Sequence, residues 1–216
     1  MSQLFPPSSN TVAPVAVLGV VTTFCLLAVG VWLVFGSPYI TAVGVPINQP
    51  VPFSHEHHVG GLGIDCRYCH VSVERASFAG MPSTHTCMTC HSQLWTEAEL
   101  LAPVRQSLEK NEPIRWNRVH SLPDYVYFNH SIHIAKGVGC VSCHGRVDEM
   151  PLVAKAETLY MRWCLDCHIH PEPALRAHDE VFNLASKPPT QAEGVARAKA
   201  NDVRTAHLTD CSACHR

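Results

Sequence analysis

Phe128-Asn-His130-Ser-Ile-His133-Ile-Ala-Lys-Gly-Val-Gly-Cys140-Val-Ser-Cys143-His144 is the stretch around which the chain is organised. It ends in Cys-x-x-Cys-His, the attachment sequence for a c-type haem. The spacing follows from the chemistry: two thiols add to the porphyrin vinyl groups, and the adjoining histidine becomes the proximal iron ligand. His130 and His133 lie three residues apart, on one side of a helical turn. Both suit distal ligation, each to a different iron. Phe53-x-His55-x-x-His58, followed by Cys66-x-x-Cys69-His70, repeats the pattern earlier in the chain.

Of 11 cysteines in 216 residues, ten form five such motifs: Cys66/Cys69/His70, Cys87/Cys90/His91, Cys140/Cys143/His144, Cys164/Cys167/His168 and Cys211/Cys214/His215. Zinc knuckles or disulfides would leave the residue after the second cysteine random, whereas here it is always histidine. The motif spacing runs short, long, short, long. Shifting the first module by about 75 residues overlays Phe53 on Phe128, His55 on His130 and His58 on His133. The expected architecture is one transmembrane helix plus a multihaem domain of coil and short helices. The domain would hold two di-haem modules, 53–125 and 126–185, and a C-terminal helix with a fifth haem, 186–216.

Five covalently bound haems need ten axial ligands. The motifs supply His70, His91, His144, His168 and His215, and ten other histidines remain. His55, His58, His130 and His133 carry the duplicated spacing and are the leading distal candidates; His120 is the fifth choice. His57 reads as a solvated extra. His85, His170 and His207 sit too near a motif to reach the far face of its haem, and His178 has no context. Met150 and Met161 are rival ligands, and a thioether would raise the potential. If one ligates, His120 is released first. Met88 is trapped inside its motif.

Residues 1–11 are uncharged, and 12–36 form an apolar anchor. A helix of about 22 residues from Pro14 would span roughly 33 Å, enough for a bilayer. Pro14 suits a first turn, and Gly36-Ser37-Pro38 a stop. A cleaved signal peptide would want a basic start and a shorter core, but no Lys or Arg precedes Arg67. Cys25 lies mid-span with no lipobox around it. Residues 37–52 read as an extended linker or strap. Thr96-x-x-Glu99 looks like a capping box, with a second helix from Pro103 to about Lys110 whose apolar face would hold Leu100, Leu101, Val104 and Leu108. Residues 191–206 read as helix. With 16 basic and 18 acidic residues, charge is nearly balanced and nothing points to nucleic acid. Arg67, Arg146 and Arg162 are candidate partners for haem propionates, with ordinary surface charge as the plain alternative.

Phe-Asn-His-Ser-Ile-His before the motif resembles the class III, cytochrome c3-like pattern, in which the two histidines bind separate haems. Four longer runs resemble the pentahaem c-type cytochrome of bacterial Alternative Complex III: Pro52-Phe53-Ser54-His55, Leu62 to His70, Arg118 to Phe128, and Met161 to His168. With the anchor and the terminal Cys211-x-x-Cys214-His215-Arg216, the resemblance covers nearly the whole chain. It implies a quinol:electron-acceptor oxidoreductase of the cytoplasmic membrane, with the haem domain on the periplasmic side. The implied partners are an iron–sulfur subunit, polytopic quinol-binding subunits and a mono-haem cytochrome c. NapC/NrfH-type quinol dehydrogenases continue the first motif as CxxCH-x-Met, whereas His70 is followed by Val71-Ser72. That departure speaks against this chain oxidising quinol by itself. A nitrite- or hydroxylamine-type reductase would need an open iron position. The histidine supply can close every haem, and no motif carries Lys in place of His.

Overall fold

The computed structural model describes residues 5–215, in two compact units divided between Ala42 and Val43. The first unit is helix α1, Ser9–Gly36, and a short turn α2, Pro38–Thr41. α1 is 28 residues long, carries no charge and has no buried residue within the chain. At about 1.5 Å per residue that is roughly 42 Å, ample to cross a bilayer by length and composition. The helix starts earlier than Pro14 suggested. Pro6 and Pro7 carbonyls accept the amides of Ser9 and Asn10, so a turn at the two prolines nucleates it. Pro14 then falls within the second turn, where only one backbone bond is forfeited.

The second unit contains no extended sheet among the described residues, only isolated bridges such as Val43 with Lys155, Pro46 with Ala154 and Val138 with Leu175. Its helices are short: α3 Cys66–Cys69, α4 Thr84–His91, α5 Ala102–Lys110, α6 His130–Ala135, α7 Val141–His144, α8 Met161–Ile169, α9 Gln191–Ala200 and α10 Cys211–Cys214. The architecture is therefore one apolar N-terminal helix and a domain of turns and short helices, five of which carry or adjoin the CxxCH motifs. Residues 43–49 act as a strap on this same unit: Gln49 exchanges two bonds with Asn117, and Asn117 also donates to the Asn48 carbonyl.

Packed apolar side chains are few for a unit of this size. Val51, Val73, Val104, Ala154, Ala174, Leu175, Val181 and Leu184 are buried, while Tyr68, Val71, Leu94, Tyr160, Met161 and Ile169, in or beside the motifs, are exposed. The protein-only core centres on Leu175 and Val181. Arg176 N donates to Gly137 O and Gly139 N to Ala174 O, so the approach to Cys140 is laid against the most buried leucine. Gly137 has φ +81°, a left-handed conformation that glycine adopts without strain. Arg176 is buried but satisfied, donating to the carbonyls of Pro173 and Leu175 and to Ser186 Oγ.

The local readings need three corrections. Thr96 caps nothing: a 3₁₀ turn, Glu99–Leu101, starts after Ala98 and leads straight into α5. Of the face expected there, only Val104 is buried, and Leu100 is exposed. The capping box of the chain is instead Thr190 with Glu193, which opens α9; that helix stops at Ala200, short of 206. The pattern Thr-x-x-Glu occurs at both places, but Thr190 has the extended backbone an N-cap requires, whereas Thr96 lies inside a turn closed by Ala98 N on Trp95 O. Thr190→Ala should cost about 1 kcal/mol and lower the melting temperature of the haem-loaded protein by about 2–4 °C, read by thermal circular dichroism. No change would mean that α9 is held by its packing alone.

Candidate haem-binding sites

Each Cys-x-x-Cys pair spans one helical turn, in α3, α4, α8 and α10 and across the start of α7, so both thiols leave on the same side. Burial pushes the Cys140 and Cys143 thiols up to about 12, and those of Cys66, Cys69, Cys87, Cys164 and Cys167 are raised for the same reason.

The histidine rings are held by main-chain carbonyls. Nδ1 donates to Gly80 O in His70, Leu94 O in His91, Leu208 O in His168 and Tyr125 O in His215. Among the non-motif histidines, Nδ1 donates to Ser54 O in His58, Ser77 O in His130 and Asn129 O in His133. A carbonyl can only accept, so each of these rings carries its proton on Nδ1 and turns the Nε2 lone pair outward. That is the tautomer a metal ligand needs, fixed by its outer hydrogen bond. Burial lowers the pKa of His58, His133 and His120, and takes His55 to about 4 and His144 to about 3, so these imidazoles stay neutral.

The rings also stand in pairs. His58 lies 6.2 Å from His91, His130 6.3 Å from His144 and His133 6.2 Å from His168, centre to centre. With metal–imidazole bonds of about 2.0–2.1 Å and roughly 1.1 Å from ring centre to nitrogen, two imidazoles on opposite sides of one iron stand about 6.2–6.4 Å apart. The residues present fit the group. His55 completes the pattern less directly: its Nδ1 is buried without a partner, and His70 is its strongest charged neighbour.

His120 is placed differently. It meets His144 edge to face at 4.4 Å, too close for an iron between the two rings, and its Nε2 is buried without a partner. Lys155 and His130 are its other near neighbours. His215 lies 5.8 Å from the Tyr125 ring. The methyl of Met150 lies beside Gly145, next to His144, whereas Met161 is exposed at the start of α8. Arg67 and Arg146 are engaged within the chain: Arg67 chelates Asp65 and lies over Phe182, and Arg146 binds Asp148 and Glu149.

The spacing left two further roles unassigned. Phe53 meets His55 edge-on at 4.8 Å and stacks on His58 at 4.3 Å; Phe128 repeats this with His130 at 4.8 Å and His133 at 4.4 Å. One aromatic ring thus sets both imidazole planes in each module. The signal was present as phenylalanine two residues before each first histidine. The first module has one residue more between its second histidine and its first cysteine than the second module has. A π-helical turn, Glu56–Gly61, absorbs that residue where the second module has the α-helical α6.

Short helices carrying CxxCH, with imidazoles paired at iron-spanning distance, define a multihaem cytochrome c with covalently bound haem c. The chain is similar to the multihaem cytochrome c subunit of menaquinone reductase from Nitratidesulfovibrio vulgaris, at 38% identity over 98 residues. The match covers 45% of this chain and 46% of that relative, so the chain spans less than half of its length. No family model matches the chain.

Proposed function

We propose that the chain is the membrane-anchored pentahaem cytochrome c of a quinol-linked respiratory or photosynthetic complex, of the type found in Alternative Complex III. Within it the chain passes electrons from quinol oxidation to a downstream acceptor. The single observation that carries this reading is the set of opposed imidazoles. An iron that would be held between two imidazoles suits electron transfer, and His91, His144 and His168 each face a second imidazole at that distance. Bound haem supplies the one-electron redox chemistry. The protein's part is to hold His58, His70, His91, His130, His133, His168 and His215 by their Nδ1 protons and to fix ring planes with Phe53 and Phe128. The proposed ligand pairs are His91 with His58, His144 with His130, His168 with His133 and His70 with His55. The fifth motif histidine is His215; His120 is the fifth proposed distal ligand, with Met150 and Met161 as its rivals.

The proposed setting is the cytoplasmic membrane, with α1 as anchor and residues 43–216 on the extracytoplasmic side, where c-type haem is attached. The proposed partners are an iron–sulfur subunit, polytopic quinol-binding subunits and a mono-haem cytochrome c. The likeness to a menaquinone reductase subunit favours a second direction of flow, toward quinone rather than from it. Purified complex assayed both ways separates the two. Quinol should reduce the haems within the assay time only when the polytopic subunits are present. Fast reduction of added menaquinone by the prereduced complex, with no quinol oxidation, would reverse the direction. Rapid binding of carbon monoxide or nitrite to the reduced haems would replace electron transfer by catalysis.

A further inference from the structure

The contacts between motifs follow an order that differs from their order in the chain. The first and second motifs touch from within: the Tyr68 hydroxyl, inside the first, meets Thr89 Oγ1, inside the second, at 2.7 Å. They also share a turn, because His55 and His58 both pack on Phe53 while His58 faces His91. The first motif is tied to the third. His130, which faces His144, donates from Nδ1 and from its backbone N to Ser77 O, seven residues after His70. Glu56 N donates to Met150 O across the same junction.

The third and fourth motifs are joined by one turn of α6, whose His130 faces His144 and whose His133 faces His168. The fourth joins the fifth through His168 Nδ1, which donates to Leu208 O at 2.7 Å, three residues before Cys211. The thiols give the same neighbours: Cys87 bears electrostatically on Cys69, Cys66 on Cys140, Cys167 on Cys143 and Cys214 on Cys164. Among the described residues, no hydrogen bond or ring contact joins the second motif to the third, fourth or fifth. Cys90 and Cys211, in the two outermost motifs, are exposed, unlike the other motif cysteines.

We infer that the five haem-binding segments stand in single file in the order second, first, third, fourth, fifth, so that external redox partners meet this chain at Cys87–His91 and at Cys211–His215. Each electron taken from a donor at one end is given up to an acceptor at the other, which leaves the chain's own redox state unchanged per turnover. This rests on haem occupancy of the five motifs and not on quinol as the donor.

The test is the position of the five irons in the haem-loaded full chain, found by anomalous scattering or by electron cryo-microscopy of the complex. The iron held by His91 should have the iron held by His70 as its one near neighbour within the chain. The iron held by His215 should likewise have only that of His168. An iron on His70 at the end of the file, or one on His91 beside that of His144, overturns the order. No donor or activity enters this readout, so its failure is separate from failure of the quinol reading. The end roles are tested in the complex at steady state with the pairs Cys87→Ala/Cys90→Ala and Cys211→Ala/Cys214→Ala. Loss of the haem at the donor end should leave the remaining four at least tenfold more oxidised, and loss of the haem at the acceptor end at least tenfold more reduced. Shifts in the same direction, or none, overturn the end assignment. If either variant fails to mature, the iron positions still decide the order.

Discussion

Replacing Cys140 and Cys143 together by alanine is expected to leave almost no folded protein in membranes, whereas the pair Cys211→Ala/Cys214→Ala should yield a stable chain with four haems. The difference lies in what surrounds each motif. Cys140 stands where Gly139, Leu175 and Val181 converge, and its amide donates to Val181 O. His144 beyond it is ringed by His120, His130, His70 and His55. Removing a haem there would open a void of several hundred Å³, which at about 24 cal/mol per Å³ is on the order of 10 kcal/mol. That is comparable to the whole stability of a typical domain, about 5–15 kcal/mol. Cys211 is exposed, and the helix Cys211–Cys214 has no buried residue, so little packing is lost with its haem. Pyridine haemochrome per chain should read five for the native protein and four for the terminal variant, with immunoblots showing the central variant degraded. Similar amounts of both variants would mean that the central haem is not part of the core.

His133→Met is expected to raise the potential of one haem, the one attached at Cys164 and Cys167, by on the order of 0.1 V, within the roughly 0.8 V over which axial ligands set haem potentials. The reason is geometric. His133 faces His168 at 6.2 Å, and its ring is fixed twice, by stacking on Phe128 and by donation to Asn129 O. A methionine at the same place reaches the same space with a poorer electron donor. His130, one turn away, faces His144, so the haem of the third motif should shift only through its neighbour's charge. A spectroelectrochemical titration should therefore show one component displaced upward, with a new thioether absorption band. An unchanged titration would remove His133 from the ligands and bring Met150 and Met161 forward.

How much of this was legible beforehand depends on the range of the interaction. Covalent attachment, a helical turn and a membrane span are written within a few residues or in one continuous run. The five CxxCH motifs, the paired H-x-x-H turns and the apolar helix could accordingly be read without a structure. Thr96 and Thr190 mark the limit of such reading. Both begin Thr-x-x-Glu, yet Thr190 is extended and its oxygen reaches the Glu193 amide, whereas Thr96 is taken up in the turn that Ala98 N closes on Trp95 O. The arginines mark it again: that Arg67 and Arg146 each close on an acidic neighbour two residues away is seen only in the structure.

By itself, the amino-acid sequence determined the chemistry of the sites, their number of motifs and the duplication, because thiol spacing and the i, i+3 turn are local. Only the tertiary structure decided which imidazole faces which, how Phe53 and Phe128 set their planes, and that the second motif lies beside the first. Those facts depend on bonds such as His130 to Ser77 and His168 to Leu208, between residues 53 and 40 positions apart. Their acceptors are main-chain carbonyls, which every residue carries. No side-chain code marks them, so packing alone selects which carbonyl each ring meets.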